Sequence, residues 1–396
     1  MMQISPETQL FIREHSSDDV RVLALQAKKY PDIDMPTAIT QIAGRKVAAE
    51  KIPSWWEIEK IWYPKHLSLE QCSSEITARY KARLSQGDSL TDLTGGFGID
   101  CSFLATGFKS ATYVERQEEL CEIAAHNFPV LNLNHINIKN EDGVTYLQVM
   151  SPVDCLFLDP ARRNEHGGKT VAISDCEPNV AELEELLLQK ANRVMIKLSP
   201  MLDLSLALKE LKQTQEVHIL SVNNECKELL ILLGQTSPAE ISIHCVNLFT
   251  KGTQKEQHFV FTREQEQCSE CTYTDSLETY LYEPNASLLK AGAFRSIAAA
   301  YPVRKLHPNS HLYTSDTFIE NFPGRIFRIV NQCSFNKKEV KENLADLKKA
   351  NVTVRNFPAT VAELRKRIHL AEGGDTYLFA STLNNGQKVL IRCEKV

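Results

Sequence analysis

The stretch "SLTDLTGGFGID", residues 89–100, decides the fold. Its first half reads as a strand, and Gly95-Gly96-Phe97-Gly98 forms a turn that opens a helix at Ile99. Glycines in such a turn remove side chains, so that a ligand can approach the backbone closely. In a parallel sheet the turn falls at the carboxyl ends of the strands, where ligands bind. Neither the dinucleotide pattern G-x-G-x-x-G nor the phosphate loop G-x-x-x-x-G-K-[ST] occurs here. The expected ligand is therefore nucleoside-like and need not carry a pyrophosphate.

Working outward, strands and helices alternate from Ser89 to about Gly234. "SATYVE" is the next strand and "RQEELCEIAAHNF" the next helix. "INIKNED", "DCLFLD", "RVMIKLS", "VHILSV" and "KELLILLG" supply further strands, with the helices "VAELEELLLQKA" and "LSLALKEL" between them. Such alternation predicts a mostly parallel sheet covered by helices. The short link from Asn223 to Cys226 predicts that the last two strands pair antiparallel at the sheet edge.

The flanks read differently. Residues 1–86 place apolar residues at helical spacing, with prolines at 31, 36, 53 and 64 as punctuation. Trp55, Trp56 and Trp62 cluster there and predict a packing core more than a base-stacking platform. In "SSEITARYKARLSQG", Ile76, Tyr80 and Leu84 share one helix face, while Arg79, Lys81 and Arg83 fall around the rest of the cylinder. Beyond 236, residues 237–274 read as connecting strands. "EPNASLLKAGAFRSIAAAY" reads as one amphipathic helix within a small element at 275–321. Residues 322–396 read as strands and helices closed by a hairpin at "LNNGQ".

Three carboxylates stand where the cofactor chemistry of such a sheet would need them. Asp92 ends the first strand. Glu115 ends the second, 23 residues on, placed to accept from ribose hydroxyls. Asp142 follows the third strand as an adenine-amino acceptor or a turn-former before Gly143. "DPARR" ends the fourth strand. Asp159 is placed to orient or deprotonate a nucleophile. Pro160 removes a donor and fixes φ. Arg162 and Arg163 are suited to a phosphate or a carboxylate.

On these residues the chain resembles class I S-adenosylmethionine-dependent methyltransferases. The resemblance rests on "DLTGGFGID", Glu115, "NEDG" and "DPARR" in that order. With "EQCSSEITARYKARL" and "EPNASLLKAG" added, it narrows to bacterial methyltransferases with a C-terminal THUMP-like domain, and covers nearly the whole chain. The implied fold is α/β: a Rossmann-like, mostly parallel seven-stranded sheet, an N-terminal helical region and a C-terminal α+β THUMP-like and ferredoxin-like module. The resemblance implies a methyltransferase domain at 87–236, a ferredoxin-like element at 275–321 and a THUMP-like domain at 322–396. Asp92, Gly95, Gly96 and Gly98 would line the methionine side of S-adenosylmethionine. Glu115 would hold its ribose and Asp142 its adenine, with Asp159 beside the methyl group. THUMP domains bind RNA, often tRNA, so tRNA or rRNA is the implied partner. The sequence departs from amino-methylating enzymes: Ala161 and Arg162 stand where a proline and an aromatic residue are usual.

A second reading uses the same strands. Ribose 2′-O-methyltransferases carry a Lys-Asp-Lys-Glu tetrad, and Lys81, Asp159, Lys197 and Glu225 (or Glu228) follow that order. Lys197, which ends a strand on the reactive side, is a substrate-contact candidate. A non-catalytic RNA-binding protein on the same scaffold, or an enzyme acting on a small molecule or protein, are the other readings.

Composition narrows the classes. The formal charge of −5 is uneven. From residue 322 onward, 14 Lys and Arg face 7 Asp and Glu, a balance of +7 on an otherwise acidic chain. A basic end on an acidic body suits a polyanionic partner. No apolar run reaches the length of a membrane span and the N-terminus shows no leader pattern, so a cytoplasmic protein is expected. Eleven cysteines read as reduced thiols. Cys268 and Cys271, with Cys245 and His258, fit no familiar zinc spacing, and no metal is expected.

Overall fold

The computed structural model describes residues 4–162, 172–236 and 238–396. The chain divides into two compact units, Met1–Glu216 with Glu228–Pro238, and Val217–Lys227 with Ala239–Val396.

The first unit begins with helices α1 (Pro6–Glu14), α2 (Val20–Leu25), α3 (Met35–Lys51), α4 (Pro53–Trp56), α5 (His66–Gln71) and α6 (Glu75–Ala82). Proline stands in the first turn of α1, α3 and α4, where its missing N–H costs nothing. The Ser5 and Asp34 side chains cap α1 and α3 by accepting from Thr8 N and Thr37 N. Phe11, Leu23, Met35, Ala38 and Ile42 form one small core. A second core joins Ile52, Trp55 and Tyr63 to Phe97, Ile99 and Phe103. Trp55 meets the Phe97 ring edge-on at 5.2 Å between centroids, so this tryptophan is a packing residue that covers the glycine turn.

The sheet contains β1 (Gly87–Asp92), β2 (Phe108–Val114), β3 (Ile136–Lys139), β4 (Val153–Leu158), β5 (Ala191–Leu198), β6 (Thr214–Val222) and β7 (Glu225–Gly234). β1 pairs in parallel with β2 and with β4. β2 pairs with β3 and β4 with β5, also in parallel. β7 runs antiparallel to β5. The order is therefore β3-β2-β1-β4-β5-β7, and Gly234 N at the end of β7 donates to Gln213 O, just before β6. The reversed strand is thus set inside the sheet beside β5, a correction to the edge position that its short link suggests. Chain direction across the sheet switches between β1 and β4, and their carboxyl ends flank the crevice that such a switch creates.

Helices α7 (Ile99–Ala105), α8 (Glu118–Val130), α9 (Gly143–Val149), α10 (Val180–Lys190) and α11 (Leu204–Glu210) connect the strands. The reading of sequence missed α9. "GVTYLQV" is rich in β-branched and aromatic residues, but the Asp142 side chain caps it, accepting from Val144 N and Thr145 N.

In the second unit β8 (Ser242–Leu248) and β9 (Glu256–Thr262) pair antiparallel. A separate seven-stranded sheet follows, including β10 (Tyr280–Pro284), β11 (Gly324–Ser334), β12 (Thr376–Thr382) and β13 (Lys388–Lys395). β12 and β13 form the expected hairpin. The helix expected over 283–301 is two helices, Ala286–Ala291 and Ser296–Ala300. Gly292 separates them at φ 77°, a left-handed conformation that glycine adopts without strain. Among the described residues no helix is long and apolar enough to cross a membrane.

Candidate active site

The glycine turn is tied to three strands at once. Leu93 N donates to Phe157 O on β4 and Gly95 N to Val114 O on β2, at 3.0 and 2.9 Å. Asp159 N donates to the Thr94 hydroxyl at 2.6 Å, and Thr94 N donates to Asp92 Oδ1 at 2.9 Å. The tips of β1, β2 and β4 are thereby held as one rigid rim. Thr94, which carries the link between Asp92 and Asp159, was not singled out in the sequence.

Each turn glycine has a physical reason. A Cβ on Gly95 would lie 2.3 Å from the Tyr113 ring. Gly96 and Gly98 have φ of 54° and 87°. Glu115 accepts from Gly96 N at 2.9 Å and from Gln117 N at 2.8 Å, which fixes its carboxylate at the end of β2. The Tyr113 hydroxyl donates to Gly96 O. Asp142 performs the capping role described above. Gly143 allows close approach there, since a Cβ would sit 2.2 Å from Leu93 O.

Behind the rim lies a buried charge network. Lys81 Nζ contacts Glu228 at 2.5 Å and Asp100 at 3.0 Å, and its side chain is fully buried. Lys197 Nζ contacts Asp159 at 2.5 Å and Asp100 at 3.2 Å. The Ser73 hydroxyl sits at the centre. It donates to Asp100 at 2.7 Å and accepts from Lys81 at 2.9 Å and Lys197 at 3.0 Å. Lys81 therefore does not lie on an outer helix surface, as its position in α6 suggests. Glu228, not Glu225, completes the set: Glu225 is exposed and pairs with Lys227 at 2.7 Å. Ser73 and Asp100 were missed as site residues. Asp100 stands within the quoted motif, but nothing local marks it as a lysine partner.

Two ammonium groups face three carboxylates, so the network carries one excess negative charge. Its distribution is uneven. Burial alone would raise Asp100, but Lys197, Lys81 and Ser73 outweigh it and hold that carboxyl well below the usual range. Asp159 is pushed upward by burial, with Lys197 opposing and the Asp100 charge adding to the rise. Lys197 is held well above its ordinary value: burial works against the charge, but Asp100, Asp159 and Glu228 prevail. The lysine is thus a firm cation. Asp159, whose side chain keeps 37% exposure, is the member of the network most open to solvent, which weakens the upward push of burial on its carboxyl.

Asp92 is pushed up to about 8 by burial, against the backbone hydrogen bond from Thr94. From its ordinary 3.8 to about 8, the folded protein holds a proton that the unfolded chain has released. Stability from this group is present in full below that window and is lost as pH rises through it, by about 1.4 kcal/mol per pH unit for the group alone. Asp92→Asn should therefore gain in melting temperature on the native protein steadily from about pH 5 to about pH 8. Melting curves at four pH values test this, and a constant offset counts against it.

Arg163 and the side chain of Arg162 lie outside the described residues. The backbone of Ala161–Arg162 pairs antiparallel with Cys176–Glu177, so "DPARR" leads into a short ribbon beyond the rim. Among the described residues no group of three or more potential metal ligands includes Cys268 or Cys271.

Over 100% of both chains, with 34% identity and a TM-score of 0.87, the protein is similar to a "putative methyltransferase" from Porphyromonas gingivalis W83. Over 40% of its length it matches 96% of SMU.1697c from Streptococcus mutans, described in complex with SAH, at 14% identity and a TM-score of 0.30. Over 41% it matches 68% of M. capricolum TrmK, also with SAH, at 12% identity and a TM-score of 0.32. Scores that low carry no weight for the chemistry. Residues 280–323 match a ferredoxin-like domain and residues 324–395 a THUMP domain-like family. No curated protein matches the chain.

Proposed function

The chain belongs to the methyltransferase family of the Porphyromonas gingivalis protein, and from that premise we propose that it transfers a methyl group from S-adenosylmethionine to RNA, tRNA or rRNA. Methyl transfer is assigned to residues 87–236 and RNA contact to the basic residues 322–396. Residues 1–86 form a helical cover, 237–274 connecting strands and 275–321 the ferredoxin-like element.

The observation that carries the reading is the pre-set rim backed by the anionic network. Glu115 is fixed by two backbone donors at the tip of β2, where ribose hydroxyls would be met. The turn at Gly95, Gly96 and Gly98 is bare of side chains. Asp92 and Asp142 complete the proposed cofactor contacts. The excess negative charge suits a sulfonium, which is a cation until its methyl group leaves. When bound, S-adenosylmethionine would supply the methyl group and keep the departing sulfur, and the nucleophile that takes the methyl group would have to lose a proton. Asp159, with a carboxyl raised above the ordinary range, is suited to take that proton. Pro160, Arg162 and Arg163 follow it as orienting and phosphate-contact candidates.

One observation favours a narrower reading, ribose 2′-O-methylation. Lys81, Asp159, Lys197 and Glu228 do meet in two direct ion pairs. The upward direction at Lys197 makes it a charge that positions Asp159, rather than a neutral base in the resting protein.

The test is calorimetry with S-adenosylmethionine. Micromolar binding, on the order of −8 kcal/mol, is expected. Glu115→Ala should weaken it by about 10- to 100-fold through loss of charge-assisted hydrogen bonds. Tritiated methyl should then pass into cellular RNA. No binding by either protein would leave a non-catalytic RNA-binding scaffold. Binding with transfer only to small molecules or proteins would remove RNA as substrate.

A further inference from the structure

Charge pairing behind the rim is complete without Asp100. Lys81 already has Glu228 at 2.5 Å, and Lys197 already has Asp159 at 2.5 Å. Those two lysines and two carboxylates would form a neutral set. Asp100 is a fifth member, 3.0 Å from Lys81 and 3.2 Å from Lys197, and it is the source of the surplus negative charge. Its side chain is 9% exposed, so it holds that charge against a desolvation cost. A counter-ion that the lysines do not need, kept in such a place, calls for a use.

The geometry supplies one. Asp100 and Asp159 touch the same Lys197 Nζ, so the two carboxylates lie within a few ångströms of each other and share one ammonium group. The Ser73 hydroxyl anchors Asp100, donating to it at 2.7 Å while accepting from both lysines. Asp159 is pinned by its backbone N–H to Thr94 and by its carboxylate to Lys197. The charged groups facing Asp159 are Lys197 on β5, Asp100 on α7, Lys81 on α6 and Asp92 at the end of β1, with Glu228 on β7 behind the lysines. Asp92, pushed up to about 8 by burial, carries little charge below that pH. Asp100, despite its burial, is held ionised by Lys197, Lys81 and Ser73.

We propose that Asp100, anchored by Ser73, is a positioning residue of the reaction: it takes up part of the Lys197 ammonium charge and so leaves Asp159 a stronger proton acceptor than a one-to-one ion pair allows. The inference rests on the reading of methyl transfer with Asp159 as acceptor of the nucleophile's proton. That proton passes to Asp159, and Asp100 exchanges none. A lysine that aims a carboxylate also lowers its pKa, which weakens it as a base. A second carboxylate on the same lysine opposes that loss, so Lys197 can orient Asp159 without disabling it.

The test compares the native full chain with Asp100→Asn and Asp100→Ala. Both remove the charge and leave Lys81–Glu228 and Lys197–Asp159 as matched pairs, and the second places no amide beside the ammonium groups. The Asp159 carboxyl is followed by NMR on ¹³C-labelled aspartate, assigned by its loss in Asp159→Asn. Its titration midpoint should fall by about 1–2 pH units in both variants, the size expected for one charge a few ångströms away. The acid limb of single-turnover methyl transfer to cellular RNA, at saturating S-adenosylmethionine, should move to lower pH by the same amount, with a lower plateau. Melting curves and circular dichroism confirm that each variant is folded. An Asp159 midpoint that does not move, or moves in one variant only, overturns the proposal. So does a rate lost equally at every pH, the mark of a merely structural role. A midpoint that moves while the native protein transfers no methyl group would overturn the methyl-transfer reading and not the division of charge.

Discussion

Lys197→Met is expected to slow methyl transfer by about 10²- to 10³-fold, the size of effect seen when one preorganised charge is taken from a reacting centre. Lys197 is the cation that touches Asp159, at 2.5 Å, and it also reaches Asp100 and the Ser73 hydroxyl. Without it, one ammonium group would face three carboxylates in the rim's interior. Asp159 would then keep its proton, and its orientation toward a nucleophile would be lost. The variant should also lose stability, since breaking a buried ion pair from one side costs about 3–5 kcal/mol. The two effects separate in a second variant. Lys197→Met/Asp159→Asn removes the orphaned charge and should recover much of the stability, but none of the rate. Single-turnover transfer of tritiated methyl, run beside melting curves, reads both. A double variant that regained the rate would show that transfer needs neither the Lys197 charge nor the Asp159 carboxylate.

Lys81→Met is expected to destabilise the protein by about 3–5 kcal/mol, or roughly 6–20 °C in melting temperature at 2–4 °C per kcal/mol. Its side chain is fully buried against Glu228 and Asp100. Few residues are so expensive to orphan: the lysine's removal leaves Glu228 desolvated with its 2.5 Å partner gone. Replacing both partners, Lys81→Met/Glu228→Leu, should restore most of the loss, because a packed apolar pair substitutes well for a buried ion pair. Asp100 keeps Lys197 and Ser73 in that variant. A single variant costing less than about 1 kcal/mol, the range of surface pairs, would mean that water enters the network.

Much of this site was legible along the chain because its signals are local. The glycine turn after β1 requires φ values of 54° and 87° at Gly96 and Gly98, and glycine is the residue that advertises such positions. Glu115 and Asp159 stand at the tips of strands whose apolar runs are plain to read. The C-terminal unit was readable as basic and hairpin-closed from its charge and its Asn-Gly turn, whereas its THUMP-like character followed from the resemblance alone. Asp142 was readable only as an ambiguity, and its capping of α9 resolves one of the two uses weighed for it.

The lysine network was legible only as an order along the chain, Lys81, Asp159, Lys197 and Glu225 or Glu228. That these residues meet, and that Ser73 and Asp100 join them, was not legible, because they belong to separate elements and are neighbours only after folding. Helical periodicity placed Lys81 outside, since a helix face is read from its own apolar residues and not from what packs on the other side. Between Glu225 and Glu228 the choice turns on one residue's register in β7, which leaves the first exposed and the second buried. By itself, then, the sequence determined the alternating sheet, the bare turn and the carboxylates at the strand tips, because local backbone preference and periodicity encode them. Only the tertiary structure decided which charges share a buried space, because that depends on contacts between elements whose separations no periodicity records.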